Sequence, residues 1–145
     1  NKVAFNYRPN EIAASIAYSH LLRLDNLIQS RKNISKIYDE NLDFDFYTKQ
    51  HIPKGYTHVY HLYPVLVPSI ELRTKLLEFL KEKNIFAQIH YPPINKMEGF
   101  KNYTSDTPVS DNITSRVVSI PMFPQLTDLE IEFTIEALNE FQQLN

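Results

Sequence analysis

The sequence contains no cysteine, only two glycines (Gly55 and Gly99) and no block of like charge. Without cysteine there is no disulfide framework, no thiolate nucleophile and no Cys-ligated zinc. Two glycines are too few for a cradle in which backbone must approach a phosphate closely, so any such cradle is expected elsewhere. No P-loop, dinucleotide-binding glycine motif or Gly-x-Ser-x-Gly elbow occurs. A net charge of −2 with dispersed Lys and Arg excludes a nucleic-acid footprint, which needs clustered cations to displace counterions. No apolar run approaches the roughly 20 residues that span a bilayer, and no signal-peptide pattern opens the chain. The expectation is a cytoplasmic protein without nucleic-acid or membrane partners.

What is present describes an ordinary folded domain. At 145 residues, 43% hydrophobic and 22% charged, the chain is long enough for one genuine core. Apolar positions from Ile12 to Tyr38 recur mostly at steps of three and four, predicting one long amphipathic helix over about 10–40 with Asn10 as N-cap. A connector spans 41–57. The β-branched and aromatic run His58–Val67 predicts a strand, and Pro64 places it at an edge or a bulge. Ser69 caps a helix to about Lys83 with Leu72, Leu76, Leu77 and Leu80 inward. Ile85–Ile89 reads as a second strand and Val117–Ile120 as a third, with a loop over 96–108 and a short helix between them. Thr127-Asp128-Leu129-Glu130 is a capping box, Leu126 can staple onto Ile131, and Ile131, Ile135, Leu138 and Phe141 line the buried face of the last helix. The fold class is α+β: a small, mainly antiparallel sheet covered by helices, with one long N-terminal helix.

The polar constellations are modest taken singly. His58 and His61 form a His-x-x-His, but on a strand side chains three apart face opposite ways and cannot share a metal. His90-Tyr91-Pro92-Pro93 puts two hydrogen-bonding side chains at a strand end, yet alone it reads as a plain strand-to-loop junction. Asn6-Tyr7-Arg8 precedes a helix N-terminus, where an Arg fork and an Asn amide suit a phosphate. Asp43 with Asp45, and Glu130 with Glu132 and Glu136, read as solvated carboxylates. The Asn-x-Ser/Thr triplets at Asn33, Asn102 and Asn112 read as chance in an Asn-rich chain.

Order and spacing say more. Asn6-Tyr7-Arg8-Pro9-Asn10-Glu11-Ile12, Leu21-Leu22-Arg23-Leu24-Asp25, Tyr60-His61-Leu62-Tyr63, Ile89-His90-Tyr91-Pro92-Pro93, Ser119-Ile120-Pro121-Met122-Phe123-Pro124 and Leu126-Thr127-Asp128-Leu129-Glu130-Ile131 follow one another along the chain. This succession resembles the C-terminal part of the DegT/DnrJ/StrS-type sugar aminotransferases and covers essentially all 145 residues. The resemblance implies that residues 1–145 are the C-terminal small domain of a longer fold-type I enzyme. Such an enzyme uses pyridoxal 5′-phosphate to move an amino group, often from glutamate, onto a nucleotide-linked keto-sugar. It implies a homodimer in which Asn6 and Arg8 reach the cofactor phosphate held by the neighbouring subunit, with Tyr7 in the same region. His90 and Tyr91 would face the sugar nucleotide, with His61 at the family's Tyr-His-Leu-Tyr position. The Schiff-base lysine would lie outside this segment, which should therefore be inactive alone. Asn95 stands where a histidine usually follows the Tyr-Pro-Pro loop. Two other functions keep the same architecture: a non-catalytic ligand-binding or regulatory module, and a pyridoxal-phosphate sugar dehydratase in which histidine replaces the lysine.

Overall fold

The computed structural model describes residues 7–103 and 105–145, so Asn6 lies outside the described residues. Helix α1 (Glu11–Leu21) is followed by α2 (Leu24–Asn41), then strands β1 (Thr48–Lys49) and β2 (Tyr63–Leu66) and helix α3 (Ile70–Glu82). After two 3-10 stretches come α4 (Pro108–Arg116), β3 (Val117–Ile120) and α5 (Asp128–Gln143). The sheet is antiparallel in the order β1-β2-β3. The α+β expectation holds.

Three local expectations are corrected. The N-terminal helix is interrupted at Leu22 and Arg23, where Arg23 takes φ −116° and ψ 7°. No proline or glycine marks that break. The strand expected from His58 begins only at Tyr63, because Tyr60 adopts a left-handed φ of 49° and turns the chain. The strand expected at Ile85–Ile89 is reduced to a single bridge between Gln88 and Ser119. Its place as the third partner is taken by β1, inside the stretch read as connector.

Pro64 belongs to the central strand rather than an edge, and the ladder shows how. Val67 N–H donates to Arg116 O, so the pairs Val65–Val118 and Tyr63–Ile120 exchange hydrogen bonds while Pro64–Ser119 does not. The missing Pro64 donor therefore points toward β1, and β1 ends one residue short, pairing Lys49 with Val65. A proline costs the ladder nothing there.

Alternation along the strands divides the sheet into two unlike faces. Tyr63, Val65, Val118 and Ile120 join Ile34 and Tyr38 of α2, Leu76 and Leu80 of α3, and Ile131, Leu138 and Phe141 of α5 in one core cluster. Buried tyrosines tie their hydroxyls into it: Tyr38 donates to Pro121 O at 2.9 Å and Tyr47 to Leu138 O at 2.8 Å. The opposite face, with Leu62, Pro64, Leu66, Val117, Ser119, Gln88 and His90, contributes nothing to that cluster. Helix α1 also contributes nothing: none of its residues is buried. No helix among the described residues is long and apolar enough to cross a membrane.

Candidate functional site

The sequence-derived site residues are not all brought together. Gln88 bridges Ser119 and Tyr63 pairs with Ile120, so the segment 85–90 runs parallel to β2 along the far side of β3. His90, two residues beyond Gln88, lies toward Val117. His61, two residues before Tyr63, lies toward Met122. Five residues of strand separate those positions on β3, a span of about 17 Å. The two histidines occupy opposite ends of the sheet.

The His61 end is built by an arginine that the sequence reading passed over. Arg31 Nη1 donates to three carbonyls, Tyr60 O at 3.0 Å, His61 O at 3.1 Å and Met122 O at 3.0 Å, joining the turn before β2 to the segment after β3. Burial lowers its pKa from the usual arginine value. The same turn is held from within: Tyr60 N–H donates to His58 Nδ1 at 3.1 Å, and the Tyr60 ring stacks on Tyr63 at 6.4 Å. A bulky residue at positive φ is strained, and it persists only where its surroundings over-determine it. The signal was present in the sequence: Leu27, Arg31, Ile34 and Tyr38 recur at steps of four, three and four, which puts a cation on the buried stripe of α2.

At the other end, His90 and Tyr91 are neighbours with rings 5.0 Å apart and nearly perpendicular, yet they face different hollows. His90 lines a cleft of about 440 Å³ with Gln88, Ser119, Phe86, Phe123 and Phe133. Tyr91, exposed, lines a second cleft of about 470 Å³ with Pro93, Phe100 and Tyr103. Asn95, where the family pattern has histidine, is engaged by its own loop: its Nδ2 donates to Thr107 Oγ1 at 2.8 Å. In the first cleft, His90 Nδ1 and Ser119 Oγ are buried without a hydrogen-bond partner among the described residues.

Neither of these two clefts has a lysine in its wall among the described residues. A third hollow, of about 370 Å³ beside β1, does contain Lys49, but its ammonium is committed to Asp39 at 3.1 Å. The same carboxylate accepts from Tyr63 OH at 2.6 Å, and this contact adds to burial in raising the Tyr63 pKa. Tyr7 and Arg8 are exposed immediately ahead of α1, whose N-cap Asn10 accepts from Ala13 N–H at 2.8 Å. Among the described residues no group of three or more His, Asp or Glu side chains is arranged to hold a metal.

A sheet packed by helices on one face carries hydrogen-bonding side chains at the end of the other. Comparison with known proteins gives this fold a family. The sequence profile of the DegT/DnrJ/EryC1/StrS aminotransferase family matches residues 1–139, and the chain belongs to that family. It is 33% identical over 138 residues to the dTDP-3-amino-3,6-dideoxy-alpha-D-galactopyranose transaminase of Aneurinibacillus thermoaerophilus, covering 94% of this chain and 37% of that protein. It is 27% identical to the pleiotropic regulatory protein of Geobacillus stearothermophilus over 96% of this chain and 38% of the relative. Among solved structures, the aminotransferase TlmJ of Streptoalloteichus hindustanus shares the fold with a TM-score of 0.87 at 22% identity, over 99% of this chain and 40% of that one. The chain thus spans well under half the length of the proteins it matches.

Proposed function

We propose that this chain is the C-terminal small domain of a pyridoxal-phosphate aminotransferase, a cytoplasmic homodimer that transfers an amino group from an amino acid, glutamate by preference, to a nucleotide-linked keto-sugar. The observation that carries this reading is the family match over residues 1–139 combined with a cleft that offers His90 but, among the described residues, no lysine. The residues present suit an accessory role toward the cofactor. Arg8, exposed at the N-terminal end of α1, has the planar fork that binds phosphate in two-pronged fashion, and the helix terminus favours an anion. By the family resemblance Asn6 joins it, with Tyr7 alongside.

A pyridoxal 5′-phosphate group supplies the electron sink for amino transfer. What this chain's residues do is bind and orient. Arg8 would hold the phosphate of a cofactor bound by a neighbouring subunit. His90 and Tyr91 present hydrogen-bonding side chains to the sugar nucleotide from two adjoining clefts. Arg31 fixes the turn that carries His61, so this imidazole works from the other end of the sheet and not beside His90. None of the chain's lysines is assigned the covalent role, and the segment alone is inactive.

The test is to express the protein at the length its gene encodes, add the cofactor, reduce with borohydride and map the modified peptide. A labelled lysine outside residues 1–145 supports the aminotransferase. A label on a lysine of this chain contradicts the division of labour. The likeness to a regulatory protein gives a second reading, a non-catalytic module. It is favoured if no adduct forms.

A further inference from the structure

The turn ahead of β2 depends on a histidine in one protonation state. Tyr60 takes φ 49°, a conformation in which a bulky residue is strained. Two holds keep it there. From outside, Arg31 Nη1 donates to the carbonyls of Tyr60 and His61 at 3.0 and 3.1 Å. From within, Tyr60 N–H donates to His58 Nδ1 at 3.1 Å, and the two rings meet edge to face at 4.6 Å. The first hold is a guanidinium, which stays charged throughout the range in which proteins are folded. The second requires a lone pair on Nδ1, so it exists only while the imidazole is neutral with its proton on Nε2. A protonated His58 turns a donor toward a donor, and the bond is lost.

The charged and titratable groups about the turn offer no replacement. Arg31 of α2 brings a cation to the carbonyl of Tyr60 itself. Beyond the Tyr60 ring, which stacks on Tyr63, stands Asp39 of α2. Its carboxylate already accepts from Tyr63 OH and pairs with Lys49 of β1 at 3.1 Å. His51, just after β1, lines the same hollow as Tyr60, and His61 follows within the turn. Among the described residues no carboxylate pairs with His58. The strain of a left-handed bulky residue and the net worth of one hydrogen bond are of the same order, so losing that bond is felt at this turn. Arg31 keeps its carbonyls, which confines the release to the turn and leaves the sheet paired.

We infer that His58 is a pH-operated latch on the turn that presents His61: the neutral ring closes it and the protonated ring opens it. Nothing in this latch depends on the aminotransferase reading. Two substitutions separate the roles of the ring. His58→Asn keeps an acceptor for the N–H two residues on, as an Asx-turn does, and has no charge to gain. His58→Phe keeps a ring against Tyr60 but offers no acceptor.

The experiment uses the gene-length protein with isotope-labelled tyrosine nitrogen. Amide exchange protection, corrected for the intrinsic pH dependence of exchange, is read at Tyr60 and Tyr63 from about pH 8 to about pH 5, across which histidine changes charge. Tyr63, paired with Ile120 in the sheet, is the internal control. Tyr60 protection is expected to fall about threefold to tenfold at the acid end, the range of one neutral hydrogen bond, with Tyr63 unchanged. His58→Asn should hold the protection level across the range, and His58→Phe should show the low value throughout. Tyr60 protection that ignores pH in the unmodified protein, a fall that persists in His58→Phe, or a parallel fall at Tyr63 would overturn the inference. Failure of the aminotransferase reading is separate: it shows as the absence of a borohydride-trapped cofactor and leaves the behaviour of Tyr60 untouched.

Discussion

Arg31 serves three carbonyls with one nitrogen, and among the described residues no carboxylate is its partner. A hydrogen bond from a charged donor contributes about 1.5–3 kcal/mol, and contacts sharing one atom do not add. Arg31→Met is therefore expected to cost about 2–3 kcal/mol in urea unfolding, on the scale of one such bond. Arg31→Lys should recover part of it, and a loss under about 0.5 kcal/mol would show that the brace is idle. The buried tyrosines lead to a prediction in pH. Burial raises the pKa of Tyr38, Tyr47 and Tyr63 above the ordinary tyrosine value, so the folded state holds these protons more tightly than the unfolded chain. The stability this brings is complete below pH of about 10 and is lost as pH rises beyond it. A titration of tyrosinate absorbance should show Tyr38, Tyr47 and Tyr63 ionising only as the fold is lost. Ionisation of these three at the ordinary tyrosine value with the fold intact would contradict this.

Among the elements, α5 was the most legible in sequence, because its start is encoded by side-chain chemistry within four residues. Thr127 Oγ1 accepts from Glu130 N–H at 3.3 Å while Glu130 Oε2 accepts from Thr127 N–H, the reciprocal pair that the spacing implies. Thr127→Ala should lower stability by about 1 kcal/mol. The lowered Glu130 pKa means that its contribution is present above the ordinary carboxylate range and fades as pH falls through the folded value. Glu130→Gln should flatten that part of the acid limb, and an unchanged acid limb would count against the capping box. Leu138 has no exposure and sits on the stripe read from sequence, so Leu138→Ala should cost about 2–5 kcal/mol in chemical denaturation. Other elements were hidden for physical reasons. The interruption at Leu22–Arg23 carries no breaker residue, so periodicity runs through it. The turn at Tyr60 is imposed by Arg31, some thirty residues away, and local propensity has no access to such a contact. Strand β1 is two residues long and exists through its pairing with β2.

At the scale of the molecule, the arrangement of the candidate residues was not legible in sequence. The resemblance turned His90 and Tyr91 toward the sugar nucleotide and gave His61 only its place in the Tyr-His-Leu-Tyr run, and strand register sets the two histidines toward opposite ends of β3. Register is a property of pairing, and the alternation of a strand alone does not reveal which neighbour it will meet. Ser119 escaped notice because a small polar residue between Val118 and Ile120 looks like an ordinary strand residue until its hydroxyl proves unpaired. At the same scale, α1 carries exposed apolar side chains, Ile12 at 74% and Ile16 at 57% exposure, and joins no part of the core among the described residues.

Amino transfer itself tests the account most directly. The gene-length protein, loaded with pyridoxal 5′-phosphate, would be given nitrogen-labelled glutamate and nucleotide-linked sugars bearing a keto group at the third or the fourth carbon. The account predicts label in the sugar product, at a rate reduced when Arg8 is replaced by Met and restored in part by Lys. A protein that binds the cofactor and the sugar nucleotide yet leaves all the label in glutamate would contradict it.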